Sequence, residues 1–241
     1  MSTPMRLSQP AVSWLLVSCL MLAMPLLAMP QGKAEETVRL RSGGEGRGSV
    51  EVFGRVTEFN GREIRIERAG REQGYPASRV IEIVTEWPAG YVEGKTALAE
   101  GKYPEAIQHL TRAAQHDQRV WVRRLVIEQM IVAYAAQEDW LRAGDLFVSL
   151  ATSDPHTPAL ARPPLPWQPV AGVPQARAEG WLADTTQAAQ LLGASHLLPT
   201  ALRAEATKSL ERLARSDDRR VALLPPFAVI TRVSNRKTCV R

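Results

Sequence analysis

Cysteine is almost missing from this chain: there are two in 241 residues, Cys19 and Cys239, at opposite ends. That excludes a disulfide-stapled scaffold and any zinc site built from cysteine pairs. Histidine is nearly as scarce. His109, His116, His156 and His196 are far apart, and none has a second histidine or a cysteine at ligand spacing. His109 and His196 fall within helical periodicity, which marks them as partly buried side chains and not ligands. The chain also lacks a Gly-x-Ser-x-Gly elbow, a His-Glu-x-x-His helix and a phosphate loop ending in Gly-Lys-Ser/Thr. No catalytic site, metal or cofactor is expected. Aromatic residues are sparse at 6%, and between residue 35 and Trp87 only Phe53, Phe59 and Tyr75 occur. These read as core, which leaves no stacking platform of the kind RNA needs.

A basic folded body is missing too, although the net charge is +5. Arg6 and Lys33 lie at the N-terminus, and six basic residues without an acid lie from Arg219 to Arg241. What remains carries 22 basic against 25 acidic residues, which is not the basic face of a nucleic-acid binder. Nucleic acid is therefore an unexpected partner, except through the basic end itself.

One long apolar run is present, Ala11 to Met29, with Arg6 the only charge in the first 32 residues. Small residues at Gly32 and Ala34 follow, the pattern of an export signal over residues 1–34, with cleavage after Ala28 as the other option. An uncleaved membrane anchor and a lipobox at Leu16-Val17-Ser18-Cys19 are the alternatives. The expected location is the periplasm or cell envelope, or outside the cell. A membrane contact is expected only through this segment.

Residues 35–88 have a period of two. Val38 and Leu40 alternate with Arg39 and Arg41, and Ile64 and Ile66 with Arg65 and Glu67. One buried and one solvated face predicts antiparallel strands. Asn60-Gly61 and Ala69-Gly70 read as hairpin turns. The glycine-rich loop Gly43–Gly48 lies between strands, where it is a hairpin loop and not a phosphate cradle. About five short strands suggest a strongly bent small barrel. The pattern Gly54-x-Val56, Ile64-x-Ile66, Gly74-x-Pro76-x-Ser78-x-Val80 resembles the SH3-like and Sm-like barrels of exported bacterial proteins.

After Trp87-Pro88 the period becomes helical. Residues 89–157 hold two unequal copies of one unit. The first has Gly94, Ala97, Gly101-Lys102-Tyr103, Ala106-x3-Leu110 and Ala113; the second has Tyr134, Trp140, Ala143-x3-Phe147 and Leu150. This resembles the tetratricopeptide repeat, with Ala106 to Ala143 giving a spacing of 37 against the family's 34. The three extra residues are expected in the loop around His116 to Arg119. The leading tryptophan is missing from both copies, and Glu93 stands where leucine is usual. The resemblance implies paired antiparallel helices offering a concave face to a protein or peptide. Tyr91, Lys95, Gln108, Arg112 and Tyr134 are the candidate contact residues. The acids Glu128, Glu138, Asp139 and Asp145 read as a solvated face.

Residues 158–176 are proline-rich and predict an extended connector, with Trp167 as its anchor. Over 177–224 a helical hairpin is expected, Gln187–Leu198 and Leu202–Arg215, with Thr200 capping the second helix. Ser216-Asp217-Asp218 resembles the start of a HEAT-type helix. The basic end, 225–241, reads as disordered, and the interrupted repeats as a shortened solenoid. The fold class is α+β: a small antiparallel barrel, repeat hairpins, then a C-terminal hairpin. The function expected is an exported, non-enzymatic scaffold that binds a peptide or protein. A self-assembling envelope component, or a binder of anionic surfaces through the basic tail, are the alternatives.

Overall fold

The computed structural model describes residues 35–42, 48–166 and 172–215. The readings made of the export signal and lipobox, of Trp167, of the HEAT-like first turn and of the basic end lie outside the described residues. Among the described residues the fold is α+β, five antiparallel strands followed by seven α-helices.

The strands are β1 (Glu36–Arg41), β2 (Ser49–Phe59), β3 (Glu63–Arg68), β4 (Arg71–Pro76) and β5 (Val80–Val84), in the order β4-β3-β2-β1-β5. β2 pairs with β1 over Ser49–Gly54 and with β3 from Arg55 onward, so one bent strand serves both halves. At the bend a Cβ on Gly54 would lie 2.6 Å from the Glu67 carbonyl oxygen, so the close approach needs glycine. Val38, Leu40, Val56, Ile64 and Ile66 fill the inner face. Phe53 does not join them: alternation along β2 turns Val52, Gly54 and Val56 inward and leaves Phe53 45% exposed. Phe59 and Tyr75 are partly buried against the core as expected.

The two predicted turns differ. Ala69-Gly70 is a two-residue turn with both φ positive (49° and 73°) between the paired Arg68 and Arg71. Neither Asn60 nor Gly61 has positive φ. Instead the Asn60 side-chain oxygen accepts from the Arg62 and Glu63 amides, closing an Asx turn. Gly61 serves a contact. Its amide donates to Asp154 at 2.8 Å, and a Cβ would sit 1.9 Å from the His156 carbonyl oxygen.

Four helices follow: α1 (Tyr91–Ala99), α2 (Tyr103–His116), α3 (Val120–Ala136) and α4 (Trp140–Ser153). They form two hairpins with matching turns. Gly101 (φ 75°) and Glu138 (φ 60°) are the left-handed residues, and the next amide reaches back five residues in each, Lys102 to Ala97 and Asp139 to Tyr134. This is a Schellman-type stop, repeated at the predicted spacing. The extra three residues do not lengthen the α2–α3 loop, which is only 117–119. They extend α3 to 17 residues, one more turn, and carry Trp121 and Val122 into the core under the sheet. Glu93 lies in the first turn of α1, and its carboxylate accepts from the Gly90 amide at 3.1 Å.

The expected connector is more structured than proline content implied. Pro158–Ala161 is a 3-10 turn, and α5 (Gln175–Leu182) precedes α6 (Gln187–Leu197) and α7 (Arg203–Ala214). α5 was not anticipated. Its Trp181 lies flush on α4, where a Cβ on Gly144 would come within 2.3 Å of the ring, and its indole N–H donates to Asp145 at 3.1 Å. Asp145 stays on the solvated face, its side chain 38% exposed and paired with Arg177, whereas Glu128 leaves it: its carboxylate accepts from the Thr157 hydroxyl at 2.6 Å. Thr200 accepts from the Leu202 amide but does not cap α7, whose N-cap is Leu202. Leu191, Leu197, Leu210 and Leu213 form the core of α5–α7.

Two stability outcomes follow from these contacts. A non-glycine residue in the left-handed region costs about 1 kcal/mol. Glu138→Gly should therefore raise unfolding free energy by about 0.5–1 kcal/mol and Gly101→Ala lower it by about 1 kcal/mol, both read by urea denaturation. His196 packs on Trp181 with ring centroids 5.7 Å apart, and its Nε2 has no hydrogen-bond partner. Burial pushes its pKa down to about 4, against a smaller opposing effect of the Pro164 carbonyl. The unfolded chain takes up this proton near its ordinary value of 6.5, so the stability is present above that value and lost as pH falls toward 4. The loss should be about 3 kcal/mol and absent in His196→Leu.

Candidate functional site

The helices and sheet do not meet flush along their whole length. Between β5 and α1 an open groove of about 850 Å³ remains. Phe59, Val80, Ile83 and Leu125 give it an apolar lining from the sheet and α3. Tyr91, Val92, Lys95 and Thr96 line it from α1. Ile81 and Val92 line it while staying 49% and 56% exposed. Apolar side chains that line a concavity and stay wet are the usual mark of a docking surface.

The groove has rigid backing. Trp87 stacks on Tyr91 at 4.5 Å and meets Trp121 edge-on at 6.1 Å. Arg119 lies over the Trp121 ring at 5.3 Å, and Lys95 over Tyr91 at 5.6 Å. Tyr91 is 5% exposed. Burial, with a smaller contribution from Glu128, pushes its phenol up to about 12, so it stays neutral.

Behind this row lies a polar seam. Glu36 in β1 is 5% exposed. Its carboxylate accepts from the Val56 amide (2.5 Å), the Thr85 hydroxyl (2.6 Å) and Arg119 (2.8 Å). Arg119 also donates to Asp117 (2.6 Å), to the Thr85 hydroxyl (2.7 Å) and to the Glu86 carbonyl (2.7 Å). Burial raises the Asp117 carboxyl, but the side-chain and backbone hydrogen bonds from Arg119, with its charge, outweigh that and hold it below the usual aspartate range. A second link joins Arg124 of α3 to Glu58 of β2.

No family model matches this chain. No curated protein or solved structure matches it either.

The five candidate contact residues divide. Tyr91 and Lys95 come together in the groove. Gln108 and Arg112 are exposed on α2 and do not line it. Tyr134 is partly buried near the α3–α4 turn, with Arg142 over its ring at 5.7 Å. Reading the helices alone missed the other wall: Ile81 and Val80 belong to β5, 10 or more residues before α1 begins. The signal available was an apolar strand, Val80-Ile81-Glu82-Ile83-Val84, that breaks the alternation of its neighbours. Among the described residues no cluster of three or more His, Cys, Asp or Glu could hold a metal, and no helix is long and apolar enough to cross a membrane.

Arg119 is the residue on which the seam turns. Its side chain is 32% exposed and its carboxylate partners 7% each. Arg119→Met would leave two buried carboxylates without their cation, a loss of about 2–3 kcal/mol at neutral pH after allowing for partial exposure. Asp117 contributes stability above its ordinary pKa and loses it as pH falls through its lowered value. The difference between wild type and Arg119→Met should therefore shrink below about pH 4, measured by denaturant titration across pH.

Proposed function

We propose that this is an exported, non-enzymatic interaction protein of the tetratricopeptide type, whose partner peptide or protein binds in the groove between β5 and α1. The observation that carries this reading is the groove itself: an open cavity of about 850 Å³, lined by apolar side chains, with Tyr91 and Lys95 on one wall. Two matching helical hairpins support the repeat assignment. The bent sheet, with β2 shared by both halves and a 3-10 turn before β5, supports a small SH3-like barrel. Much of the face that α1 and α3 would offer a partner is filled by that sheet. The groove is the part left accessible.

Proximity labelling in the native envelope tests the reading, with the full chain compared to two variants. Ile81→Asp alters the groove; Arg112→Glu alters the exposed side of α2. A discrete labelled partner should be lost in Ile81→Asp and kept in Arg112→Glu, at unchanged melting temperature. Loss only in Arg112→Glu would move the partner site to α2. Labelling unchanged in both would count against either surface. Recovery of the protein from a cytosolic fraction would refute export.

A further inference from the structure

The groove is bounded by the edge of a strand. Val80, Ile81, Glu82 and Ile83 are consecutive, and all four line it. A strand meeting a cavity with one face would contribute every second residue. Pairing with β1 skips from Glu82 to Val80, so Ile81 is a bulge that breaks the alternation, and with it all four residues from Val80 to Ile83 meet the cavity along the outer edge of β5. Among the described residues β5 is hydrogen-bonded to β1 alone, so within that set its outer edge carries main-chain donors and acceptors with no strand beside them. Exposed edges are usually blunted by charge, proline or a deep twist. β5 has no proline; its edge is interrupted by the bulge at Ile81 and carries Glu82, which Arg39 neutralises, and Ile81 and Val84 are 49% and 54% exposed.

The charges around the groove are unequal. Glu82 is held by Arg39, and Glu100 by Lys102. Lys95 has only the Tyr91 ring beneath it and no carboxylate partner among the described residues. The one uncompensated charge on the groove wall is therefore positive.

We propose that the groove takes an extended apolar peptide bearing a carboxylate, which adds to the outer edge of β5 and sets its acid on Lys95. The proposal rests on the groove being the partner site and names the chemistry of the partner. Strand addition draws affinity from main-chain hydrogen bonds and selectivity from alternate side chains. Ile81, Val92 and the apolar floor would receive the inward side chains. A five-residue strand is about 17 Å long, so about five or six peptide residues can pair.

The test uses the full chain and three amidated probes, acetyl-Thr-Val-Thr-Val-Thr-Asp and its Asn-ended and Lys-ended counterparts. Binding is followed by titration calorimetry and by exchange of backbone amides. The Asp-ended probe should slow amide exchange along β5 and bind about 1.5-fold to fivefold more tightly than the Asn-ended one, the range for an exposed ion pair. Lys95→Met should erase that difference without changing melting temperature. Equal or tighter binding of the Lys-ended probe would overturn the charge assignment. If the Asp-ended probe perturbs α2 around Arg112 and leaves β5 unchanged, the proposal falls while a peptide-binding role survives elsewhere. If no probe binds and β5 is instead protected in a concentration-dependent dimer, the occupant is a second copy and the proposal falls. If no probe binds and the protein stays monomeric with β5 unprotected, the groove reading falls with it.

Discussion

A carboxylate buried in the first strand constrains the whole molecule. Glu36 is 5% exposed, in surroundings where an unpaired charge would cost several kcal/mol. Its cation, Arg119, comes from the α2–α3 loop, 83 residues later in the chain. Satisfying Glu36 therefore requires the sheet to dock on the helices in one orientation. Trp121, two residues on, is then carried beneath the sheet to meet Trp87, which fixes Tyr91. The groove wall is the far end of that chain of contacts. Its shape follows from a polar pairing on the opposite side of an aromatic row.

The same constraint accounts for the longer α3. A hairpin pair needs no additional turn to pack on itself, and the matching stops at Gly101 and Glu138 keep the repeat geometry without one. The additional turn serves the sheet instead: it brings Trp121 and Val122 into the shared core. Sequence spacing disclosed the insertion but not its place, because the run from Val120 to Ala136 is apolar on nearly every side. It offers little periodicity from which to find a boundary. Strand alternation and the small-residue sites Ala106 and Ala143 were legible because both respond to a single local geometry, the pleat and the helix crossing.

What the sequence hid were residues chosen for contacts between elements. Asn60-Gly61 carries the composition of a tight turn, yet Asn60 closes an Asx turn and Gly61 makes room for the backbone after α4. Gly144 reads as a small helix residue, but the partner that needs the space is Trp181, more than thirty residues away. In both cases the local signal is genuine and the distant partner decides its use. The candidate site failed to be fully legible for the same reason. Tyr91 and Lys95 were legible because they lie on the helical pattern of α1, whereas Ile81 belongs to β5, a strand whose partner across the groove is remote from its own local pattern.

Joining the sheet to the helices also changes what a pair of helical hairpins can offer. A free pair of hairpins would present the faces of α1 and α3 as one concave surface. Here Val56, Ile64 and Ile66 enter a common core with Val122, Val126 and Met130, so most of that surface is committed to intramolecular packing. Two helical hairpins bury little by themselves, and the sheet on one side with Trp181 on the other supplies further burial. Accessible surface is the cost of that burial. What survives lies where the edge of the sheet runs past α1, and there the accessible surface is not made by helices alone. A strand edge and a helix face recognise different things, main chain in one case and side chains in the other. The groove combines the two within a span of a few residues, which argues for a short extended ligand over a helical one.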